Sequence, residues 1–345
     1  MPDKEQIALQ PVAVVGAGLM GTAVAAAHIR CSIPVVLYDT AETALAAAAQ
    51  RIDEKLNCPF ERQFLHCSSS LDEVKNCPVI IETIPEKLRL KQKLYRQITN
   101  GNSSGETLLL TNTSTISVTT LAETLEEDWQ RRFCGFHFFH PVLERSIIEL
   151  IPGKNTAAEA AEAAQQHALR IGKKPITVGD TPGFFVNRIL HPYLAAALSL
   201  LEQGESWQKI ERTATGFGMK KGPFQLIDEI GLDVVLHGGW VLYKAFPDRV
   251  KPSPLLLQLV ESGNLGVKTG RGIRETSAQQ KKPDTSLSEN EIIRHLFGSM
   301  YSEAKRCLAE GVIASELDAD TASVEALGFP QFRGGIISWG SKTLP

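Results

Sequence analysis

Residues 11–30 read PVAVVGAGLMGTAVAAAHIR. An apolar, β-branched run ends at Gly16-Ala17-Gly18-Leu19-Met20-Gly21, and the last glycine leads into an alanine-rich stretch of helical composition. A bare G-x-G-x-x-G is weak evidence, because many matches are ordinary turns. Between a strand and a helix the spacing acquires a mechanism. Gly16 permits the tight turn, Gly18 lets the backbone approach a pyrophosphate, and Gly21 lets the helix pack on the strand. The helix N-terminus then faces the phosphates with unpaired N–H groups and the positive end of its dipole. Leu19 and Met20, inside the turn, belong to the same candidate contact set. The stretch predicts dinucleotide binding at the first strand of an α/β sheet.

Working outward, further strand signals occur at IPVVLYD (33–39), PVIIETI (78–84), TLLLTN (107–112), FCGFHFF (133–139), SIIELI (146–151) and KPITVGD (174–180). Helical stretches lie between several of them: MGTAVAAAHIR, AETALAAAAQRIDEKL, KLRLKQKLYRQI and AAEAAEAAQQHALRIG. Strands separated by helices of this length predict βαβ units and a parallel, doubly wound sheet of Rossmann type over residues 1–181. Asp39 ends the second strand, 18 residues past Gly21. A carboxylate there accepts from ribose hydroxyls and repels a 2′-phosphate, which favours NAD over NADP. The bland alternative is a helix cap for AETALAAAA.

After Thr181-Pro182-Gly183 the pattern changes. FFVNRILHPYLAAALSLLEQG reads as a long helix buried on nearly all sides. Only helical segments follow, so an all-α domain is expected over 182–274. Residues 275–288, ETSAQQKKPDTSLS, have no apolar periodicity and read as a linker. Residues 289–345 then echo the start of the helical domain. NRILHPYLAAALSLLEQG (187–204) overlays RHLFGSMYSEAKRCLAEG (294–311), and each continues into a Gly-Phe ending, GFGMKKGPF (216–224) and LGFPQFRGG (327–335). A partial internal repeat is the favoured explanation. Chance similarity of two amphipathic helices is the other.

The totals exclude several classes. Of 345 residues, 43% are hydrophobic and 22% charged, with a net charge of −3. That is a globular balance without a basic field for nucleic acid or an anionic membrane. The start, MPDKEQIALQ, is polar, and no 18-residue apolar run occurs. Cys31, Cys58, Cys67, Cys77, Cys134 and Cys307 are scattered with no C-x-x-C pair. A reducing, cytoplasmic setting is expected, with neither a disulfide framework nor a thiolate metal site.

The stretch FCGFHFFHP (133–141) holds two histidines three residues apart. On a strand an odd separation sends His137 and His140 to opposite faces, which argues against a shared metal. A lone strand histidine is more often a satisfied core residue than a catalyst. A dinucleotide enzyme acting on an alcohol nevertheless needs a base, and histidine suits that near neutral pH. A carboxylate on its other ring nitrogen fixes the tautomer and stabilises the imidazolium. Glu149, in SIIELI, comes beside His137 if HPVLER makes a hairpin-like return; otherwise it is an exposed carboxylate on an edge strand. Ser114 alone reads as an N-cap for ISVTTLAETL, and Asn187 as an interior helix residue.

GAGLMG, IIETIPEKLRLKQKL, NTSTIS, CGFHFFHPV, IIELIPG, DTPGFFVNRIL and GPFQLIDEIGLD occur in this order. With them the chain, from Val12 to about Trp339, resembles the 3-hydroxyacyl-CoA dehydrogenases, and most of all the dehydrogenase part of multifunctional fatty acid oxidation α-subunits. The crotonase-like hydratase half of those fusions is not in the sequence. The resemblance implies that His137 is the catalytic base and Glu149 its paired carboxylate. It implies that Ser114 lies near the substrate 3-oxygen and the nicotinamide, and Asn187 near the thioester carbonyl. Glu86 and Lys91 then match cofactor contacts on the adenosine side, and Lys268 in GVKTGRG matches another.

Three features depart from the family. His140 stands where Asn is usual, next to cofactor and substrate. Asp39 and Glu86 are only 47 residues apart, where relatives carry a longer, lysine-bearing helical hairpin that touches the CoA nucleotide. Ile273-Arg274 replace an aromatic pair. The implied activity is NAD-dependent oxidation of a 3-hydroxyacyl thioester, acyl-CoA first, or the reverse reduction. Rivals are a free hydroxy acid substrate, as in gulonate dehydrogenase and λ-crystallin, a carrier-protein thioester, and a non-catalytic NAD-binding protein. Single-copy members dimerise through the helical domain. Here the fused repeat is expected to cover that surface within one chain, giving a monomer or a homodimer through another interface.

Overall fold

The structure is a computed structural model that describes residues 10–56, 62–101, 106–276 and 287–344. The chain divides into two compact units, the first ending at Asp180 and the second beginning at Thr181.

In the first unit the order is β1 (Val12–Val15), α1 (Leu19–Arg30), β2 (Val35–Tyr38), α2 (Glu42–Ala46), α3 (Ala48–Leu56), β3 (Leu65–Ser68), α4 (Leu71–Lys75), β4 (Val79–Glu82), α5 (Leu88–Thr99) and β5 (Leu108–Thr111). It continues with α6 (Val118–Ala122), α7 (Glu127–Gln130), β6 (Phe133–Phe138), β7 (Ile147–Pro152), α8 (Ala158–Arg170) and β8 (Lys174–Thr177). The eight strands form one sheet in the order β3-β2-β1-β4-β5-β6-β7-β8. Every residue of β1, β2, β5 and β6 is buried, as in a sheet covered on both faces.

Two expectations need correction, and one strand was not foreseen. The sheet is not wholly parallel, because β6 and β7 run antiparallel. Strand β3 carried no expectation; its sequence, LHCS, is short, polar and half-exposed on the sheet edge, so it lacks the apolar run that marks its neighbours. The single helix expected at 41–56 breaks at Ala47 into α2 and α3.

Register places the chemistry at one edge. Val15 pairs with Tyr38 and with Glu82, Glu82 with Thr111, and Thr111 with Gly135. The carboxyl ends of β1, β2, β4 and β5 are therefore level, with β6 running alongside. The order reverses between β1 and β4, where open α/β sheets bind ligands.

A buried polar pair ties α1 to α8. His28 Nδ1 donates to Val24 O at 2.8 Å, so its Nε2 accepts from His167 Nε2, 3.0 Å away. Burial pushes both imidazoles well below their usual 6.5. Unfolded imidazoles take up protons as pH falls through that value and the folded pair does not, so the unfolded state binds more protons. Stability is complete above about pH 6.5 and is lost as pH drops towards the folded values. Between pH 7 and 5 the urea denaturation data should show a loss of at least about 2 kcal/mol, one imidazole's share. An unchanged midpoint over that window would rule this coupling out.

The second unit contains α9 (Val186–Glu202), α10 (Trp207–Phe217), α11 (Pro223–Ile230), α12 (Leu232–Ala245), α13 (Pro254–Glu261), α14 (Ile273–Thr276), α15 (Glu289–Ala309), α16 (Glu316–Leu327) and α17 (Ile336–Thr343). Among its described residues there is no strand, only an isolated bridge between Gly266 and Arg271. Most of the expected linker, residues 277–286, lies outside the described residues. Its ends are structured: Glu275 and Thr276 close α14, and Ser288 caps α15 with a reciprocal bond to Glu291.

Helix α15 packs on α9. Arg188 Nε donates to Glu303 Oε1 at 2.7 Å, and the Tyr193 and Phe297 rings lie 5.4 Å apart. The two Gly-Phe endings meet in one aromatic cluster: Phe217 stacks on Phe297 at 3.9 Å and meets Phe329 edge-on at 5.6 Å. The local caps also correspond. Ser206 caps α10 and Ser315 caps α16. In those helices Glu211 accepts from Phe224 N–H and Asp320 from Ile337 N–H, each capping the helix that follows. Among the described residues no helix is long and apolar enough to cross a membrane.

Candidate active site

The glycine turn leaves the end of β1. Gly16 has φ +107°, a left-handed value that other residues rarely adopt. A Cβ on Gly21 would lie 1.7 Å from Gly16 O, whereas one on Gly18 would meet nothing within 4 Å. Gly21 thus packs the turn, and Gly18 faces open space where a ligand's phosphates can approach. Thr22 N–H donates to Gly18 O; the N–H groups of Leu19, Met20 and Gly21, one position earlier, are those a helix N-terminus leaves for an anion. Asp39 follows β2 directly. Its Oδ2 accepts from Ala17 N–H at 2.7 Å and its Oδ1 from Ala41 N–H at 2.9 Å. It therefore caps the chain entering α2 and also braces the glycine turn. Sequence reasoning missed Arg51 on α3, which donates to Ala17 O at 3.2 Å.

At the ends of β4 and β5 lies a buried ionic relay. Glu82, fully buried, accepts from Ile84 N–H, Lys91 Nζ, Tyr95 OH and Thr111 Oγ1 at 2.5–2.8 Å. Lys91 also reaches Glu86 Oε2 at 3.3 Å. Glu86 Oε1 then accepts from Thr113 Oγ1 at 2.6 Å and from the Ser114 and Thr115 N–H groups at 2.9 Å. Burial alone would raise the Glu86 carboxyl. The Lys91 ammonium, the Thr113 hydroxyl and the two amides outweigh it and hold it at about 2.

Glu86 and Lys91, expected as cofactor contacts on the adenosine side, stand beside the Ser114 turn. Glu86 binds the backbone of Ser114 itself, so it belongs to the corner where Ser114 was expected beside the nicotinamide. Lys91 is 1% exposed with its ammonium between two carboxylates. A buried cation needs that compensation, and here the lysine is a strut under the Ser114 turn. The N-cap of α6 is likewise Ser117, not Ser114. Asp180 supports the same helix, accepting from Ser117 Oγ and from the Val118 and Thr119 N–H groups.

His137 and Glu149 stand directly opposite each other in the β6–β7 ladder. His137 Nδ1 lies 2.8 Å from Glu149 Oε2, and the glutamate is fully buried. With the proton on Nδ1 shared with the carboxylate, the lone pair sits on Nε2. Asn112 Oδ1 accepts from Phe138 N–H at 2.8 Å and ties this strand to the segment leading to Ser114. His140 lies beyond the end of β6 and is exposed, so strand alternation does not govern its direction.

The second unit carries the other two candidates. Asn187 is the second residue of α9, in its first turn and not its interior. Lys268 sits in a short 3₁₀ turn, Val267–Thr269, and pairs with Asp233 at 2.5 Å.

Comparison with known proteins identifies the family. Residues 11–181 match the family described as 3-hydroxyacyl-CoA dehydrogenase, NAD binding domain, and residues 183–276 match 3-hydroxyacyl-CoA dehydrogenase, C-terminal domain. The fatty acid oxidation complex subunit alpha of Acinetobacter baylyi is 32% identical over 96% of this chain and 50% of that protein. The chain therefore spans about half the length of that curated relative. The (S)-3-hydroxybutyryl-CoA dehydrogenase of Ralstonia eutropha is 34% identical, with a TM-score of 0.71 over 77% of this chain and 98% of that one. The 3-hydroxybutyryl-CoA dehydrogenase of Escherichia coli has a TM-score of 0.83 over 97% and 91% of the two chains; at 24% identity it speaks for the fold alone.

Proposed function

Because this chain belongs to the 3-hydroxyacyl-CoA dehydrogenase family, we propose that it oxidises the 3-hydroxyl of an acyl thioester, acyl-CoA first, or reduces the 3-keto form. The observation that carries the reading is the buried His137–Glu149 pair on the strand beside those whose carboxyl ends hold the glycine turn and the Ser114 corner. NAD, when bound, supplies the hydride acceptor. His137 Nε2 accepts the hydroxyl proton, and Glu149 stabilises the imidazolium that results. Ser114 orients the 3-oxygen, held in place by Glu86. Asn187 donates to the thioester carbonyl, and His140 donates where relatives use an amide. Gly16, Gly18, Leu19, Met20 and Gly21 receive the pyrophosphate, and Asp39 the adenosine ribose.

The cofactor assignment has a direct test. Asp39→Ala should weaken NADH binding and narrow the gap to NADPH, because a phosphate-repelling charge goes while Arg51 remains at the turn. Fluorescence titration with both nucleotides measures this. A wild type that already prefers NADPH would show that Asp39 has been misread.

One observation favours a second reading. Asp39 and Glu86 are only 47 residues apart, which leaves less chain for a CoA nucleotide to meet than the longer hairpin of relatives. That makes a free hydroxy acid or a carrier-protein thioester the rival substrate. Following NADH absorbance with acetoacetyl-CoA, its pantetheine analogue and free keto acids separates them. Turnover confined to free acids would refute the thioester reading. The packing of α15 on α9 supports a chain that needs no family-type dimer through residues 187–204. The substrate class and the scattered cysteines support a cytoplasmic site of action.

A further inference from the structure

The β6–β7 hairpin that presents His137 and Glu149 is closed by residues 139–146. This connection is not a regular two-residue turn. Its one helical loop, with Glu144 and Arg145 N–H groups both on Pro141 O, leaves several loop carbonyls to other donors. Three of them are met by cations. Lys173 Nζ donates to Val142 O and Arg145 O, both at 2.5 Å, and Arg30 Nη1 donates to Leu143 O at 3.3 Å. Lys173 comes from the turn before β8 and is 3% exposed. Its neighbour Lys174 binds Ser146 O through its N–H at 2.6 Å. The cation therefore sits inside the loop, and the loop is wrapped on it.

We infer that Lys173 is a positioning residue for the reaction: its ammonium, bound by backbone carbonyls, sets the 139–146 loop and through it His140 and the His137–Glu149 register. The last ladder pair before the loop is Phe138–Ile148, one residue from His137–Glu149, so a loosened loop acts directly on the pair. Backbone carbonyls without a carboxylate hold a buried cation less firmly than an ion pair does. Consistent with that, burial and the charge of Arg30 bring the ammonium down to about 8, with the Cys31 thiol as the opposing influence. Arg30 and Cys31 face it from α1, and Arg145 and Glu144 belong to the loop it holds. Nothing in the mechanism above requires Lys173 to touch substrate. Its effect is on placement, and a displacement of about 1 Å in a reacting group costs on the order of 10²-fold in rate.

The test is Lys173→Ala in the full chain, with and without added n-propylammonium, which replaces the excised side-chain end. The His137 ring resonances, read by NMR without substrate, should move from their wild-type positions. With acetoacetyl-CoA, kcat should fall by about 10- to 100-fold while NADH affinity stays within about twofold. n-Propylammonium should restore both the resonances and the rate, and n-propanol neither. Wild-type resonances and wild-type kcat would overturn the inference. So would a loss matched by the fraction of unfolded protein and indifferent to the amine. If Lys173→Ala does not fold, Arg30→Met removes one carbonyl contact from an exposed position and should shift the same resonances by less; no shift there would equally refute the loop anchor. The rate arm rests on the functional reading above, and the NMR arm does not. A wild type inactive on thioesters would therefore refute the function and leave Lys173 to be judged by the resonances.

Discussion

His137→Gln should lower kcat by about 10²- to 10⁴-fold, the usual contribution of a positioned acid–base group. NADH affinity should stay near the wild-type value, because the glycine turn and Asp39 are elsewhere on the sheet edge. Glutamine keeps a hydrogen-bond donor for Glu149 and approximates the ring's volume, so the ladder pairing of β6 with β7 survives. What it removes is a basic nitrogen near neutral pH. Steady-state rates with acetoacetyl-CoA, beside NADH titrations, make the comparison. Wild-type turnover in the variant would return His137 to the role of a core histidine bonded to a buried acid.

The second large effect is expected at the other end of the site. Gly21→Ala should weaken NADH binding by about 100-fold, equivalent to about 2.7 kcal/mol. The added Cβ has nowhere to go: it would sit 1.7 Å from Gly16 O and 2.8 Å from Thr83 Oγ1. Thr83 Oγ1 donates to Val15 O and lies 3.1 Å from Gly16 O, so neither obstacle is the loose end of a flexible chain. Overpacking of this kind costs about 1–3 kcal/mol, and here the displaced atoms are the phosphate cradle itself. Circular dichroism should show a folded protein. Unaltered NADH affinity in that protein would mean that the turn does not hold the pyrophosphate.

The parts of this site that follow from chain direction and period were legible in the sequence. Strand–glycine turn–helix pointed to the cofactor end, and the return from FCGFHFF to SIIELI left Glu149 either beside His137 or exposed on an edge strand; the antiparallel register decides for the first. Parts set by what a side chain meets across the fold were not. Lys91 is a basic residue in a basic helix, LRLKQKLYRQIT, and nothing local distinguishes it from the solvated lysines beside it. Only the burial of Glu82 at the end of β4 turns it inward. Ser114, Ser117 and the threonines between 111 and 120 are equivalent cap candidates in one dimension. Asp180, more than sixty residues away, selects Ser117. Lys173 went unnoticed for a similar reason, since its partners are backbone carbonyls and carry no residue signature. Strand β3 was missed because an edge strand owes its conformation to pairing with β2 more than to apolar content.

The central claim is that the C3 hydroxyl of an acyl thioester is the reacting group. Its most direct test is to incubate the protein with acetoacetyl-CoA and NADH carrying deuterium at the transferable C4 position, and to examine the product by mass spectrometry and NMR. The account predicts 3-hydroxybutyryl-CoA with one deuterium, bound to C3. Recovery of unreacted acetoacetyl-CoA, with no labelled hydroxyacyl thioester formed, would contradict it.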